Sequence, residues 1–230
     1  MQEGPKWIEH PTYYMLVEGK VSRRLTGHRF GAAAGHVKYA TRDQTADEMA
    51  GIVEKVLTDQ DKANIERGVS IEPIAIEWYE KQRNVKVKPF KLCIPKWDKE
   101  LGCIPDGDVD GEGLVSIKGP KDMYKSLTDH ISKISQGWVP SQNYHDHIWT
   151  SHYDQMQGEM AICNRPWCDY VVYAIGSSVA YSERIYRNVE YWGEELYPLL
   201  NEFKEKYLKP RSMTIEIPNF DCIISNKCSD

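Results

Sequence analysis

The stretch that most limits what this 230-residue chain can become runs from Pro105 to Lys118. It reads Pro105-Asp106-Gly107, then a short acidic turn, then Gly113-Leu114-Val115-Ser116-Ile117-Lys118. A glycine directly after Asp106 lets the backbone turn and present the carboxylate, and the residues from Leu114 to Lys118 have the pattern of a strand. Side chains alternate along a strand, so Val115 and Ile117 point into a core while Ser116 and Lys118 share the opposite face. Taken alone, the pattern also suits a plain β-hairpin turn with a solvated lysine.

An aspartate beside a turn and a lysine on a neighbouring strand have a chemical use together. Cleaving a phosphodiester means neutralising an anion, deprotonating a water and stabilising the leaving oxyanion, and one or two hard divalent cations can do all three. Mg²⁺ takes oxygen ligands and keeps several waters, so a few carboxylates plus substrate oxygens suffice. Asp106 fits as a bridging ligand. Lys118 fits as the cation that orients or helps deprotonate the attacking water.

The segment resembles the PD-(D/E)xK nuclease signature, in which an acid stands two residues before the lysine. Four segments in order are similar to the lambda-exonuclease-like, YqaJ-type viral recombinase (alkaline exonuclease) family. They are Arg24-Leu25-Thr26-Gly27-His28-Arg29-Phe30-Gly31-Ala32-Ala33-Ala34-Gly35, Gly68-Val69-Ser70-Ile71-Glu72-Pro73-Ile74-Ala75, the Asp106 to Lys118 stretch, and His152-Tyr153-Asp154-Gln155-Met156-Gln157-Gly158-Glu159-Met160 followed by Trp167-Cys168-Asp169-Tyr170-Val171-Val172-Tyr173. Arg184-Ile185-Tyr186-Arg187, leading into an amphipathic helix over 189–207, is similar to the family's closing element. The resemblance covers roughly residues 22 to 207.

The resemblance implies a restriction-endonuclease-like α/β core, a mixed central sheet flanked by helices. It implies a two-metal Mg²⁺ site, where Mn²⁺ can substitute, with Glu72 and Asp106 as ligands and Ser116 at a third ligand position. It also implies that Gln157 orients Lys118 or the water, and that Arg24, His28 and Arg29 approach the DNA phosphate. Double-stranded DNA ends, a homotrimer and a single-strand annealing partner are further implications.

Two departures stand out. His28 occupies a position where the family has a small hydroxyl residue. More seriously, Ser116 replaces the family's glutamate, so a neutral hydroxyl stands where a charged ligand belongs, which should weaken a Mg²⁺ site and slow cleavage by orders of magnitude. Either the protein has lost catalysis or this copy carries a disabling substitution. Because Glu72, Asp106, Lys118 and Gln157 are intact, the second is favoured. Glu112 is a conceivable substitute ligand, but in the turn it is expected to face water.

Charged residues at 27% and apolar residues at 41% suit a globular domain that needs no disulfide staples. No apolar run approaches a membrane span, and residues 1–10 lack a signal-peptide layout, so a cytoplasmic or nuclear location is expected. Cysteines 93, 103, 163, 168, 222 and 228 have no zinc-site spacing and read as scattered reduced thiols. His145 and His147, read as helical, would face different sides and share no metal; with His152 they suggest a polar surface near the DNA path.

A net charge of −5 argues mildly against DNA binding. Arg23, Arg24, His28, Arg29, His36 and Lys38 crowd one segment, however, and Lys118, Lys121, Lys125 and Lys133 follow the key strand. An acidic exterior around a basic groove would reconcile the two.

One domain is expected over residues 1–230, with a tail from about 211. Helices are expected over 45–68, with Asp47 and Glu48 in the first turn and Ile52, Val53 and Val56 on the apolar face, and over 71–82, 122–134 and 140–163. Short strands are expected over 85–90, 92–94, 102–104, 114–118 and 214–217. The reading is a Mg²⁺-dependent double-stranded DNA exonuclease, whose 5′-to-3′ polarity and role in generating 3′ strands for recombination come from the resemblance. The alternative is a catalytically inactive DNA-end-binding protein on the same fold.

Overall fold

A computed structural model of the chain describes residues 5–19, 24–54, 56–122, 144–145, 147–176 and 179–212. The helix expected over 122–134, the strand expected over 214–217, and Arg23, Lys125, Lys133, Cys222 and Cys228 lie outside the described residues, apart from the helix's first residue.

Strands β1 (Lys6–Glu9) and β2 (Tyr13–Glu18) pair antiparallel, and β3 (Leu25–Thr26) leads through a 3-10 turn at Gly27–Arg29 into helix α1 (Phe30–Ala34). Helix α2 (Arg42–Ala50) opens with a capping box. Thr41 Oγ1 accepts from the Gln44 N–H at 3.1 Å, while the Gln44 side chain accepts from the Thr41 N–H at 2.9 Å. Helix α3 (Asp59–Arg83) repeats the device with Thr58 and Asp61.

Short strands β4 (Val87–Lys88), β5 (Cys93–Pro95), β6 (Leu101–Gly102) and β7 (Gly107–Val109) precede β8 (Gly113–Lys118). A hairpin of β9 (Tyr144–His145) and β10 (Ile148–Trp149) runs into helix α4 (Thr150–Cys163). Strands β11 (Trp167–Ala174) and β12 (Val179–Tyr186) follow. The last helix, α5, runs through Tyr191–Leu196, Tyr197–Phe203, Lys204–Leu208 and Lys209–Ser212, its first and third stretches wound as π-helix.

The central sheet has the order β12-β11-β8-β7-β4, with β8 and β11 parallel and the other neighbours antiparallel. It is the mixed sheet between helices expected of the nuclease core. Leu114, Cys168, Tyr170 and Val172 pack on Met156, Met160 and Cys163 of α4. On the other face Val115, Val171 and Trp167 pack with Tyr79 of α3, against which Ile117 and Trp78 also lie. Ser116 and Lys118 alternate with Val115 and Ile117 and so belong to the α4 face.

Buried polar contacts fix both helical layers. Tyr79 Oη donates to Asp169 Oδ2 at 2.5 Å, and Arg184 Nε donates to Asp169 Oδ1 at 2.8 Å, tying α3 to β11 and β12. On the α4 side Asp154, fully buried, accepts from Tyr191 Oη at 2.5 Å and lies 2.9 Å from His36 Nδ1, joining α1, α4 and α5.

Three expectations about the elements need correction. The helix expected over 45–68 is two helices, because Gly51 takes a left-handed conformation at φ 74° and closes α2. Asp43, not Asp47 or Glu48, is the acid in its first turn, and Ile52, Val53 and Val56 are exposed rather than on a packed face. The break expected between 68 and 71 is absent. Ile71, Ala75 and Tyr79, one turn apart and fully buried, hold α3 continuous through Pro73, so Glu72 sits inside a long helix rather than at a start.

Finally, α4 begins at Thr150, not near Pro140, so His145 lies in a strand and His147 in the adjacent turn. His145 stacks on Tyr153 at 3.6 Å between ring centroids, and His147 pairs with Glu183. The four described cysteines are all buried free thiols, and two of them adjoin, Cys103 Sγ lying 3.5 Å from Cys163 Sγ.

Gly158 lets α4 approach α1: a Cβ there would stand 2.2 Å from Cε2 of Phe30. Gly158→Ala is therefore expected to lower stability by about 1–3 kcal/mol through overpacking. Urea unfolding measures it, and an unchanged midpoint would refute the contact.

Candidate active site

Lys118 ends β8, beside Val172 of β11 in the parallel register. Its Nζ donates to Gln155 Oε1 at 2.9 Å, and Gln155 Nε2 donates to Glu159 Oε1 at 2.9 Å. Residues four apart lie on one face of a helix, so α4 presents Gln155 and Glu159 together. The result is a line of three polar groups, lysine to amide to carboxylate, running from the end of the strand along the helix. The 3-10 turn closes over it: a Cβ on Gly27 would lie 3.0 Å from Glu159 Oε1.

Asp106, just before β7, accepts the Ile117 N–H at 2.6 Å through Oδ2, which docks its carboxylate on β8 between Ser116 and Lys118 in sequence. Burial raises its pKa, opposed by the Lys118 charge and the Ile117 N–H. Glu72 comes from α3, whose neighbouring Ile71 packs against Gly119 at the end of β8. Burial also raises the Glu72 pKa, and the Asp106 charge adds to it. Two carboxylates from separate elements are thus held within each other's field.

Glu159 is 1% exposed, and its pKa is pushed up to about 8 by burial and then by Asp106, against the hydrogen bond from Gln155 and the charge of Lys118. His152, one turn before Gln155, is driven well below the usual histidine range by burial and by Lys118, and its Nδ1 lies 3.0 Å from Tyr170 Oη. Ser116 is fully buried, with its Oγ left without a hydrogen-bond partner. Glu159 Oε2 is likewise buried and unpartnered.

These residues suit a hard divalent cation. Glu72 and Asp106 are oxygen ligands of the right charge, and an orphaned buried hydroxyl at Ser116 is the kind of group a cation or its waters would satisfy. The set is short of charge, because serine is neutral. Among the described residues, no three His, Cys, Asp or Glu side chains stand around one point at ligand distance. Glu112 is exposed in its turn, at the end of β8 opposite Lys118.

The structure separates the two glutamines. Gln155 meets Lys118, whereas Gln157 is fully buried elsewhere: its Nε2 donates to the Tyr186 carbonyl at 3.0 Å and its Oε1 accepts from the Asn188 N–H at 2.7 Å. The contact with Lys118 expected of Gln157 is made by Gln155 instead. Residues two apart diverge by about 200° on a helix, so only one can reach the lysine.

Arg24 is half-buried, and burial lowers its pKa. His28 and Arg29 instead line a cleft of about 520 Å³ with Tyr39, Gln44 and Val53, where Arg29 lies 3.9 Å from Glu48. Glu159 was legible only as a charged residue just before the apolar run Met160 to Cys163, four positions after Gln155.

A mixed sheet between helical layers, with Asp106 hydrogen-bonded to the central strand that Lys118 ends, is an α/β fold of the nuclease type. Residues 20–166, more than half of the chain, match the YqaJ-like viral recombinase domain, and the chain belongs to that family. Its fold is similar to that of LHK-Exo, an alkaline exonuclease from Laribacter hongkongensis. The two are 24% identical, with a TM-score of 0.57 over 84% of this chain and 95% of that one. A structure of LHK-Exo in complex with dAMP aligns equally well. A phage related exonuclease from Haemophilus somnus 129PT aligns at 13% identity, with a TM-score of 0.56 over 84% and 96% of the two chains. No curated protein sequence matches the chain.

A carboxyl raised to about 8 in the fold and near 4.5 when unfolded binds more protons when native. Its contribution to stability is therefore complete below about pH 4.5 and is lost as pH rises towards 8, at up to about 1.4 kcal/mol per unit. Glu159→Gln should flatten that decline and raise the melting temperature of metal-free protein at pH 9. Equal melting curves for the two forms would refute the burial of this charge.

Proposed function

We propose that the protein is a divalent-metal-dependent exonuclease that digests one strand of duplex DNA from its 5′ end, leaving a 3′ single strand for recombination. The observation that carries the reading is the Lys118–Gln155 contact at 2.9 Å beside the Asp106 carboxylate, which is itself docked on the same strand. Family membership supports a nuclease, and Mg²⁺, with Mn²⁺ able to substitute, suits the oxygen donors present. Double-stranded ends as substrate, a trimeric ring and an annealing partner follow from the resemblance and belong to the same proposal.

In this reading Glu72 and Asp106 hold the cation, which when bound neutralises the scissile phosphate and lowers the pKa of water. Lys118 orients the attacking water and offsets negative charge at the phosphate. Gln155 fixes Lys118 by accepting a hydrogen bond from its ammonium, which holds the charge in one position. Ser116 contributes a hydroxyl and no charge. Arg24, which the resemblance places at the phosphate, and His28 and Arg29, which line the cleft, contact the DNA backbone.

The neutral Ser116 favours a second reading, a DNA-end-binding protein with the nuclease fold and no turnover. Digestion of linear, 5′-phosphorylated duplex in Mg²⁺ separates the two. The exonuclease reading expects Ser116→Glu to increase digestion by orders of magnitude and Lys118→Ala to abolish it while duplex binding persists. If neither this chain nor Ser116→Glu cuts, yet both bind duplex without metal, the binding reading stands. Unchanged turnover in Lys118→Ala would remove the catalytic assignment. Gln155→Ala should lower kcat about 10- to 100-fold, whereas loss of activity through unfolding alone would appear in its melting curve.

A further inference from the structure

Resting on the nuclease reading above, we propose that Glu159 carries the negative charge that position 116 does not supply to the cation centre. Glu159 is almost wholly buried, with one oxygen held by Gln155 and the other without a partner. No lysine or arginine among the described residues forms an ion pair with it. Taking a carboxylate out of water without a counter-charge is costly, so a buried one calls for a proton or a cation.

The surroundings say which. Gln155 holds one of its oxygens from the same helix, the 3-10 turn at Gly27 packs against it, and Asp106, Lys118 and Cys163 are close enough for their charges to act on it. Lys118 is engaged one step away, through the Gln155 amide, and leaves the free oxygen unpaired. Asp106 is near enough for the two acids to feel one another. A divalent cation held by Asp106 and Glu72 relieves that repulsion and gives Glu159 its counter-charge.

Glu159 works from outside the ligand shell, because no three carboxylates converge on one point among the described residues. Groups in that position commonly change metal affinity 10- to 100-fold. The family's glutamate lies on β8, whereas this charge comes from α4, on the helix face already turned to the site by Gln155. A charge displaced from strand to helix leaves Ser116 as a neutral hydroxyl and still retains the total charge of the centre.

The test is calorimetric binding of Mn²⁺ to the full chain without DNA, comparing the protein with Glu159→Gln, Glu159→Asp and Asp106→Asn. Melting in EDTA establishes that each variant is folded. Glu159→Gln is expected to weaken Mn²⁺ binding 10- to 100-fold, Glu159→Asp to retain most of the affinity, and Asp106→Asn to abolish it. Adding Ser116→Glu to Glu159→Gln should restore affinity.

Wild-type affinity in Glu159→Gln, with binding lost in Asp106→Asn, would overturn the role of Glu159 and leave the metal centre standing. Equal losses in the Gln and Asp variants, both folded, would overturn the charge argument. If the parent chain and Asp106→Asn bind Mn²⁺ alike, the metal reading falls and this inference with it.

Discussion

The rest of the structure depends on the parallel pairing of β8 with β11. That ladder places a strand carrying Ser116 and Lys118 in the middle of a sheet whose two faces are covered by α3 and α4. A strand at an edge, or with one bare face, could leave such polar groups to water. Here each must be satisfied by protein or ligand. Lys118 finds Gln155, Asp106 takes the Ile117 N–H, and Ser116 finds nothing. The chemistry of the site is the accounting of that buried strand end.

The balance of charge follows from the same burial. Three carboxylates, Glu72, Asp106 and Glu159, have their pKa values raised, each first by loss of water. Asp106 adds repulsion to the other two. Lys118 opposes the shift at Asp106 and Glu159, and it also suppresses protonation of His152. With a single ammonium among several crowded acids, the carboxyls hold their protons more tightly than usual; in the proposed reading a bound cation would relieve that crowding.

Much of this was legible in the chain. The alternation from Leu114 to Lys118 places 116 and 118 on one face, and the ordered motifs point to the family and the mixed sheet. Other parts were not, for physical reasons. The helix end at Gly51, and the continuity of α3 across the break expected between 68 and 71, are decided by tertiary packing, with Ile71, Ala75 and Tyr79 holding the long helix on the sheet. The choice between Gln155 and Gln157 depends on the azimuth of α4. That is set by Met156 and Met160 packing on the sheet and by Gln157 capping the chain at Tyr186 and Asn188. Glu159 gave only a faint signal, since a buried acid and a solvated one are the same letter.

The closure of Gly27 over Glu159 bears on when the site comes into being during synthesis. The first of the elements involved is made long before the helix that carries Gln155 and Glu159, and the two touch only across a loop that spans most of the domain. Contacts so distant in sequence carry the cost of closing a long loop, which local helices and hairpins do not. A chain still emerging from the ribosome with α3 and β8 complete would have Glu72, Asp106 and Lys118 but neither the amide that orients the lysine nor the wall that keeps water out. The complete centre therefore requires both ends of that span, and a partly made copy lacks it.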